Sequence, residues 1–125
     1  MTNLKLENLH ILLVDDDDNN RTLLETYLMT QGAQVTSCDD GESAYQKFSI
    51  QEFNCIVSDI HMPIMNGIEL LSKIRHIQVC DTPLILISGD AEFTESELIY
   101  KGAQGFLKKP FLLQSLKNMI LACDI

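Results

Sequence analysis

The chain has 125 residues, of which 46% are hydrophobic and 22% are charged, and this composition predicts one globular domain over residues 1–125. Eighteen acidic against nine basic side chains give a formal net charge of −9, which disfavours direct binding to nucleic acid. No apolar stretch approaches the roughly 20 residues of a membrane span, and the N-terminus lacks the basic start and long apolar core of a signal peptide. These features predict a cytoplasmic protein without a membrane segment.

The four cysteines show neither Cys-x-x-Cys spacing nor pairing with histidine. Cys38 and Cys55 fall in predicted strands, where a small apolar side chain fills the core, while Cys80 and Cys123 lie outside them. We therefore expect reduced thiols.

Five short apolar runs alternate with helix-like stretches along the chain. The predicted strands lie near residues 9–14, 34–38, 53–58, 83–88 and 104–107. Runs of branched apolar residues separated by helices are typical of buried strands in a parallel sheet with helices on both faces. The sequence thus predicts a doubly wound α/β domain with a core over about residues 9–123.

The first two helices follow acidic residues that can cap them. The first begins near Asp18 or Asn19 and stops before Gly32, and the second follows Asp39-Asp40.

The other three helices differ in how clearly the sequence marks their starts. The third follows Asn66-Gly67, and the last begins just after Pro110. The fourth has two candidate starts, a capping box Thr94-x-x-Glu97 and a position nearer Ala91. The last helix carries more apolar residues between Leu112 and Leu121 than one buried stripe requires, so part of it is expected to face a partner.

Polar residues follow most of the apolar runs. Asp15 and Asp16 follow the first, Asp59 the third, Ser88 the fourth and Lys109 the last. The carboxyl ends of parallel strands share one edge of the sheet, where open α/β folds bind ligands. Three carboxylates, a hydroxyl and an ammonium should therefore meet there, a set that suits a divalent cation and a phosphoryl group.

Asp15 and Asp16 are the candidate metal ligands. Adjacent carboxylates repel each other, and Mg²⁺ favours one or two carboxylates together with phosphate and water oxygens. The alternative is a solvated loop whose next residue caps a helix, and for the pair taken alone this alternative is favoured. A calcium-binding EF-hand loop is excluded, because neither register places glycine at the sixth or glutamate at the twelfth position.

Asp59 is the candidate nucleophile. A carboxylate can attack phosphorus to form an acyl phosphate if its charge is offset, which the metal would do. Pro63 and Asn66-Gly67 turn the following loop sharply. The alternatives are ordinary ones: Asp59 as a turn former, Ser88 as a strand-ending serine and Lys109 as a solvated lysine.

In combination, these motifs resemble the receiver domain of two-component response regulators. The ordered set is Asp-Asp, Asp followed by Met-Pro-x-x-x-Gly, Ser and Lys-Pro-Phe, and the resemblance covers about residues 9–123. It implies a flavodoxin-like fold, a five-stranded parallel sheet in the order 2-1-3-4-5 with five helices. It also implies a regulatory phosphoacceptor in two-component or phosphorelay signalling, not an enzyme, although such a domain promotes its own phosphorylation and dephosphorylation.

The resemblance assigns roles to individual residues. Asp59 would accept the phosphoryl group from a histidine kinase or a histidine phosphotransfer protein. Mg²⁺ is the implied cofactor, with Asp16 and Asp59 as its principal side-chain ligands. Asp15 would act through the waters of the metal, and the backbone carbonyl of His61 would complete the protein ligands.

Further roles concern the response to phosphorylation. Ser88 and Lys109 would hold the phosphoryl oxygens, and the Lys109–Pro110 bond would be cis. Phe106 falls where the family commonly has a switch aromatic, often tyrosine, and it lacks the hydroxyl. A downstream protein or output domain would bind the face of the fourth helix, fifth strand and fifth helix, or that face would form a phosphorylation-dependent dimer.

Two other functions fit parts of the sequence. Asp15-x-Asp17 superficially fits the motif of haloacid-dehalogenase phosphohydrolases, but Asn19 replaces the usual Thr or Val and no acidic pair follows Lys109. A receiver-like module that binds partners without accepting phosphate is disfavoured by the complete residue set.

Overall fold

The computed structural model describes residues 6–76, 80–90 and 92–123. Strands and helices alternate strictly along this chain: β1 His10–Val14, α1 Asp18–Thr30, β2 Gln34–Cys38, α2 Gly41–Ile50, β3 Cys55–Asp59, α3 Gly67–Arg75, β4 Leu84–Ser88, α4 Glu95–Tyr100, β5 Gly105–Lys108 and α5 Leu113–Leu121. Four of the five strands begin or end one or two residues from their predicted limits, and β2 has its predicted range. As a result, Asp59 is the last residue of β3 and not the first residue after it.

The five strands form one parallel sheet in the order β2-β1-β3-β4-β5, which confirms the predicted fold class. The sheet reverses its order between β1 and β3, and at such a switch point the loops after the neighbouring strands separate and leave room for a ligand. Val14, at the end of β1, pairs with Ser58 of β3, and Asp59 pairs with Ile87 of β4.

Alternate residues of each strand point to opposite sides of the sheet and build two apolar layers. Leu12 and Ile56 face the layer completed by α2, α3 and α4. Ile11 and Cys55 face the layer completed by α1 and α5. Because β3 and β4 are buried along their whole length, their last residues are held on a rigid base.

Side-chain caps fix where four of the helices begin. Asp17 accepts the N–H of Asn20 at the start of α1, and Asp40 accepts that of Ser43 at the start of α2. The α3 and α4 helices begin with reciprocal capping boxes, that of α4 formed by Thr94 and Glu97. This decides between the two candidate starts of α4, although Ala91 itself lies outside the described residues.

The last helix differs from its prediction in two respects. It begins at Leu113, three residues after Pro110, with no side-chain cap. Most of its apolar residues also pack inward: Leu116 and Ile120 are buried, and Leu113, Met119 and Leu121 are partly buried against the same layer. Leu112, just before the helix, is 75% exposed. The apolar surplus therefore mainly covers the sheet.

Among the described residues, no helix combines the length and hydropathy that crossing a membrane requires.

Candidate functional site

The predicted site residues meet at the carboxyl edge of the sheet, at the ends of β1, β3 and β4. Asp15 follows β1 and is anchored by its N–H, which donates to the carbonyl of Cys38 at 3.1 Å. Asp59 and Ser88 end β3 and β4, and both are buried, as is Asp15. Asp16 is exposed and faces solvent from the loop that leads to α1.

The three carboxylates form a group of the right size for a small cation. One oxygen each from Asp15, Asp16 and Asp59 lies within 4.8 Å of the others. An octahedral Mg²⁺ at about 2.1 Å from its ligands holds neighbouring oxygens about 3 Å apart and opposite ones about 4.2 Å apart. Small side-chain rotations would therefore bring these oxygens into the coordination shell of Mg²⁺.

A second group of potential metal ligands lies beside the first. His61, Asp90 and Glu92 bring one nitrogen and two carboxylate oxygens together, and all three residues are exposed. The His61 ring already pairs with Asp90, at 3.2 Å between Nε2 and Oδ2. Because Mg²⁺ prefers oxygen ligands, the all-oxygen group of Asp15, Asp16 and Asp59 is the better magnesium candidate.

The electrostatics of Asp59 are dominated by its burial. Loss of solvent raises the pKa of the Asp59 carboxyl, and the charge and hydrogen bond of Lys109 oppose this without cancelling it. Lys109 Nζ lies 3.2 Å from Oδ2, and the N–H of Ile60 donates to Oδ1 at 3.0 Å. Each carboxylate oxygen thus already has one donor.

Asp15 is perturbed in the same direction. Burial raises the pKa of the Asp15 carboxyl, and the charge of Asp59 raises this pKa further. The N–H of Asp17 donates to Oδ1 of Asp15 at 2.9 Å and lowers the pKa. Two buried carboxylates with raised pKa values share one ammonium, so the cluster has an excess of negative charge that a cation would offset.

The two predicted phosphoryl-binding side chains flank Asp59. The Ser88 hydroxyl accepts the N–H of Asp90 at 3.0 Å, which leaves its own proton free to donate. The N–H of Lys109 donates to the carbonyl of Ser88 at 2.9 Å, so the two residues are tied through the backbone. The peptide bond between Lys109 and Pro110 is cis.

Phe106 lies in β5 opposite Leu86 of β4, and it is partly buried against the layer that contains α4. On α4, the apolar side chains of Ile99 and Tyr100 are 48% and 92% exposed. The exposed apolar surface on this side of the molecule therefore comes from α4 more than from α5.

Sequence reasoning missed Arg21. Its Nη1 donates to the main-chain oxygen of Asp15 at 2.8 Å, and its Nη2 pairs with Asp18 at 2.5 Å. The guanidinium thereby fixes the turn that carries the acidic pair. A basic residue three positions after a helix-initiating aspartate was the available signal.

Ile64 was also missed. It lies in the loop between β3 and α3 with φ at 69° and is 79% exposed. A β-branched residue in the left-handed region is a genuine outlier. No residue pattern around Ile64 predicts this conformation.

An apolar groove opens beside the acidic cluster, between α1 and the segment after β5. Leu23, Leu24, Phe111 and Leu113 contribute to its walls, Asp15 and Lys109 also line it, and its volume is about 280 Å³. A partner that approaches the cluster has an apolar surface to contact here.

Comparison with known proteins assigns the chain to one family. Residues 11–121 match the family described as the response regulator receiver domain. The autoinducer 1 sensor kinase/phosphatase LuxN of Vibrio campbellii is 31% identical over 110 residues, which are 88% of this chain and 13% of that protein. The chain thus spans about an eighth of the length of this curated relative.

Solved structures agree with this assignment. A Francisella response regulator receiver domain has a TM-score of 0.85 and 28% identity, with 91% of this chain and 94% of that chain covered. The receiver domain of the sensor histidine kinase PA1611 of Pseudomonas aeruginosa has a TM-score of 0.81 and 28% identity, with 90% and 93% covered. That structure holds a magnesium ion in its active-site cleft.

Proposed function

The chain belongs to the response regulator receiver family of two-component signalling, and from this we propose that Asp59 accepts a phosphoryl group in a reaction that needs Mg²⁺. The observation that carries the proposal is the buried Asp59, paired with Lys109 at 3.2 Å and grouped with Asp15 and Asp16 within 4.8 Å. We propose a histidine kinase or a histidine phosphotransfer protein as the donor, and the whole domain, residues 1–125, as the acting unit.

The proposed transfer is a displacement at phosphorus. A carboxylate oxygen of Asp59 attacks the phosphorus, the bond from phosphorus to the donor histidine nitrogen breaks, and the electron pair remains on that nitrogen. Lys109 and Ser88 are placed to bind the phosphoryl oxygens, the first as a cation and the second through its free hydroxyl proton. When bound, Mg²⁺ would offset the charge of the carboxylates and the phosphoryl group.

The residues that would hold Mg²⁺ are those of the acidic cluster. We propose Asp16 and Asp59 as side-chain ligands, the backbone carbonyl of His61 as a third ligand, and Asp15 as a contact through water. The excess of carboxylates over cations in the cluster supports this assignment.

The proposed output is a change in a protein-binding face formed by α4, β5 and α5. A phosphoryl group on Asp59 adds about −1.5 to −2 charges near pH 7, which would draw the Ser88 hydroxyl towards it. Ser88 is bonded through the backbone to Lys109 and ends β4, the strand that pairs with Phe106, so a shift of Ser88 reaches β5 directly. Exposed Ile99, Tyr100 and Leu112 supply apolar surface for a downstream protein or a second copy of the chain.

The test of the phosphoacceptor is chemical. Incubation with acetyl phosphate and Mg²⁺, followed by intact mass measurement, should show one labile phosphoryl group. Asp59→Asn should abolish it and excess EDTA should prevent it. The matched control Asp81→Asn, an exposed aspartate before β4 at the opposite edge, should leave the modification unchanged. Modification that persists in Asp59→Asn or in EDTA would refute the assignment.

The test of the output face uses beryllofluoride with Mg²⁺, a stand-in for the phosphoryl group. Amide NMR signals should shift around residues 92–102 and 106–121 as well as around the site. Shifts confined to residues 15–20 and 59–67 would refute the proposed change in the output face, but they would remain consistent with the proposed metal site. Sequence-specific binding to duplex DNA by this chain alone would also contradict a purely protein-directed output.

A further inference from the structure

Two loops at the carboxyl edge of the sheet bring a histidine and two carboxylates together outside the acidic cluster. His61 follows β3, and Asp90 and Glu92 follow β4. One ring nitrogen of the histidine and one oxygen of each carboxylate lie within 4.8 Å of one another. This group shares no side chain with the acidic cluster, so it is a separate candidate site.

Two of the three residues are attached to β4 through the main chain. The N–H of Ile60, next to His61, donates to the carbonyl of Ile87 at 2.9 Å, and the side chain of Ile60 is buried. The N–H of Asp90 donates to the Ser88 hydroxyl at 3.0 Å. The His61 and Asp90 side chains therefore start from positions that β4 holds, which lowers the cost of ordering them around an ion.

The spacing of the donor atoms fits a tetrahedral ion. Nε2 of His61 and Oδ2 of Asp90 are 3.2 Å apart. Zn²⁺ binds histidine nitrogen and carboxylate oxygen at about 2.0–2.2 Å, so two such ligands of a tetrahedral ion lie about 3.3–3.5 Å apart. The His61–Asp90 pair thus already has nearly the length of one edge of this tetrahedron, and a side-chain rotation of Glu92 would supply a third ligand.

The charge of the group also favours a cation. Within the described part of the chain, no lysine or arginine forms an ion pair with Asp90 or Glu92. Asp90 pairs with the His61 ring instead, and the neutral ring that binds metals leaves both carboxylate charges unbalanced. All three side chains are exposed, so an ion can enter and keep a further position for water.

We propose that His61, Asp90 and Glu92 form a binding site for a transition-metal dication of the Zn²⁺ type, separate from the proposed magnesium site. The nitrogen ligand favours such ions over Mg²⁺ and Ca²⁺, which prefer oxygen ligands alone. The bound ion would tie the loop that follows Asp59 to the segment that leads into α4. The site needs neither Mg²⁺ nor a phosphoryl group, so it can fail or stand independently of the proposed phosphorylation.

The experiment is a titration of the folded protein with zinc chloride in a buffer that does not chelate metals. Excess Mg²⁺ is present throughout, so that it competes for the acidic cluster. Calorimetry measures the affinity, and NMR of the histidine ring nitrogens locates the ion. We expect saturable Zn²⁺ binding that changes the ring signals of His61 and leaves those of His10 and His76 unchanged.

Substitutions test each ligand in turn. His61→Ala should weaken Zn²⁺ binding by at least about tenfold, because removing a group that merely orients a metal ligand already costs about 10–100-fold. Asp90→Asn and Glu92→Gln should each weaken binding as well. His76→Ala removes another exposed histidine and is the matched control, which should leave the affinity unchanged.

Two further variants separate this site from other donors. Cys80→Ser removes a half-buried thiol that could itself bind zinc, and Asp59→Asn changes the acidic cluster. Both variants should still bind Zn²⁺ with the same change in the His61 ring signals. The wild-type NMR titration decides the question even if a variant fails to fold.

Four outcomes would overturn the proposal. They are the absence of saturable binding, binding that leaves the His61 ring signals unchanged, wild-type affinity in any of the three ligand variants, and loss of the site in Cys80→Ser or Asp59→Asn. The contact between His61 and Asp90 would then be an ordinary exposed ion pair.

Discussion

Replacing Ile64 by asparagine should stabilise the protein, although it removes a hydrophobic side chain. Ile64 has φ at 69°, and the left-handed region costs an L-residue with a Cβ roughly 1–2 kcal/mol. Asparagine tolerates this region better, because its short polar side chain can hydrogen-bond to the nearby backbone.

The loss of apolar burial is small by comparison. Ile64 is 79% exposed, so only about a fifth of the roughly 1.5–3 kcal/mol of a fully buried isoleucine, or about 0.5 kcal/mol, is given up. The net gain in the free energy of unfolding is about 1 kcal/mol, which corresponds to a rise in Tm of about 4 °C for a domain of this size.

Chemical denaturation of the apo protein measures this gain, and Ile50→Asn is the matched control. Ile50 is also 79% exposed but ends α2 in an ordinary helical conformation, so its replacement should lower stability by up to about 0.5 kcal/mol. If Ile64→Asn loses as much stability as Ile50→Asn, the backbone of Ile64 is not strained and the reasoning fails.

Three more sets of substitutions test the site and its support. Asp15→Asn should stabilise the apo protein at neutral pH. Burial raises the pKa of Asp15 in the folded protein, so the contribution of this carboxyl to stability is fully present below its unfolded pKa near 3.8. That contribution is lost as pH rises through the folded pKa. Thermal melts from pH 3 to 7 should show the gain of the variant vanish in acid, and Mg²⁺ should raise the Tm of the wild type more than that of the variant. Gly67→Ala should destabilise the fold by about 1–3 kcal/mol, because the added Cβ would lie 2.4 Å from the main-chain oxygen of Asp59. Gly89→Ala is the control: its Cβ would lie 3.7 Å from the nearest atom, so the denaturation midpoint should change little. Lys109→Ala and Ser88→Ala should keep the fold but slow phosphorylation or remove its structural effects. If both variants show wild-type phosphorylation rates and phosphate-dependent NMR shifts, Lys109 is an ordinary solvated lysine and Ser88 an ordinary strand-ending serine.

Sequence reasoning could predict the sheet and the position of the site because both depend on short-range patterns. The apolar runs determine which residues are strands, parallel order places their carboxyl ends together, and the residues at those ends, Asp15, Asp59 and Ser88, are then neighbours. Helix starts marked by Asp40, Asn66 and Thr94 were predictable because a capping side chain acts on a backbone N–H three residues away.

The features that escaped prediction depend on contacts between distant segments or on backbone angles. No pattern within the chain tells that Cys55 and Cys123 belong to the same apolar layer, because this requires the packing of α5 on the sheet. The left-handed angle of Ile64 is likewise imposed by the loop around it and not by its residue type. The apolar surplus of α5 was misjudged because the width of the stripe that a helix buries depends on how deeply it lies on the sheet.

The short α4 helix has a further consequence for the stability of separate regions. It has six residues, and Leu98 is the one buried side chain among them, so its opening exposes little apolar surface. Such a segment can unfold locally while the sheet remains intact, at a fraction of the global free energy of unfolding. Native-state hydrogen exchange should therefore be faster in α4 than in α1 or α3, and trypsin at low concentration should cut first after Lys101, at the exposed end of this helix. A ligand that binds only the folded form of α4 has its apparent affinity reduced by the unfolded fraction of this local equilibrium, and protection of Lys101 from the protease would report its binding.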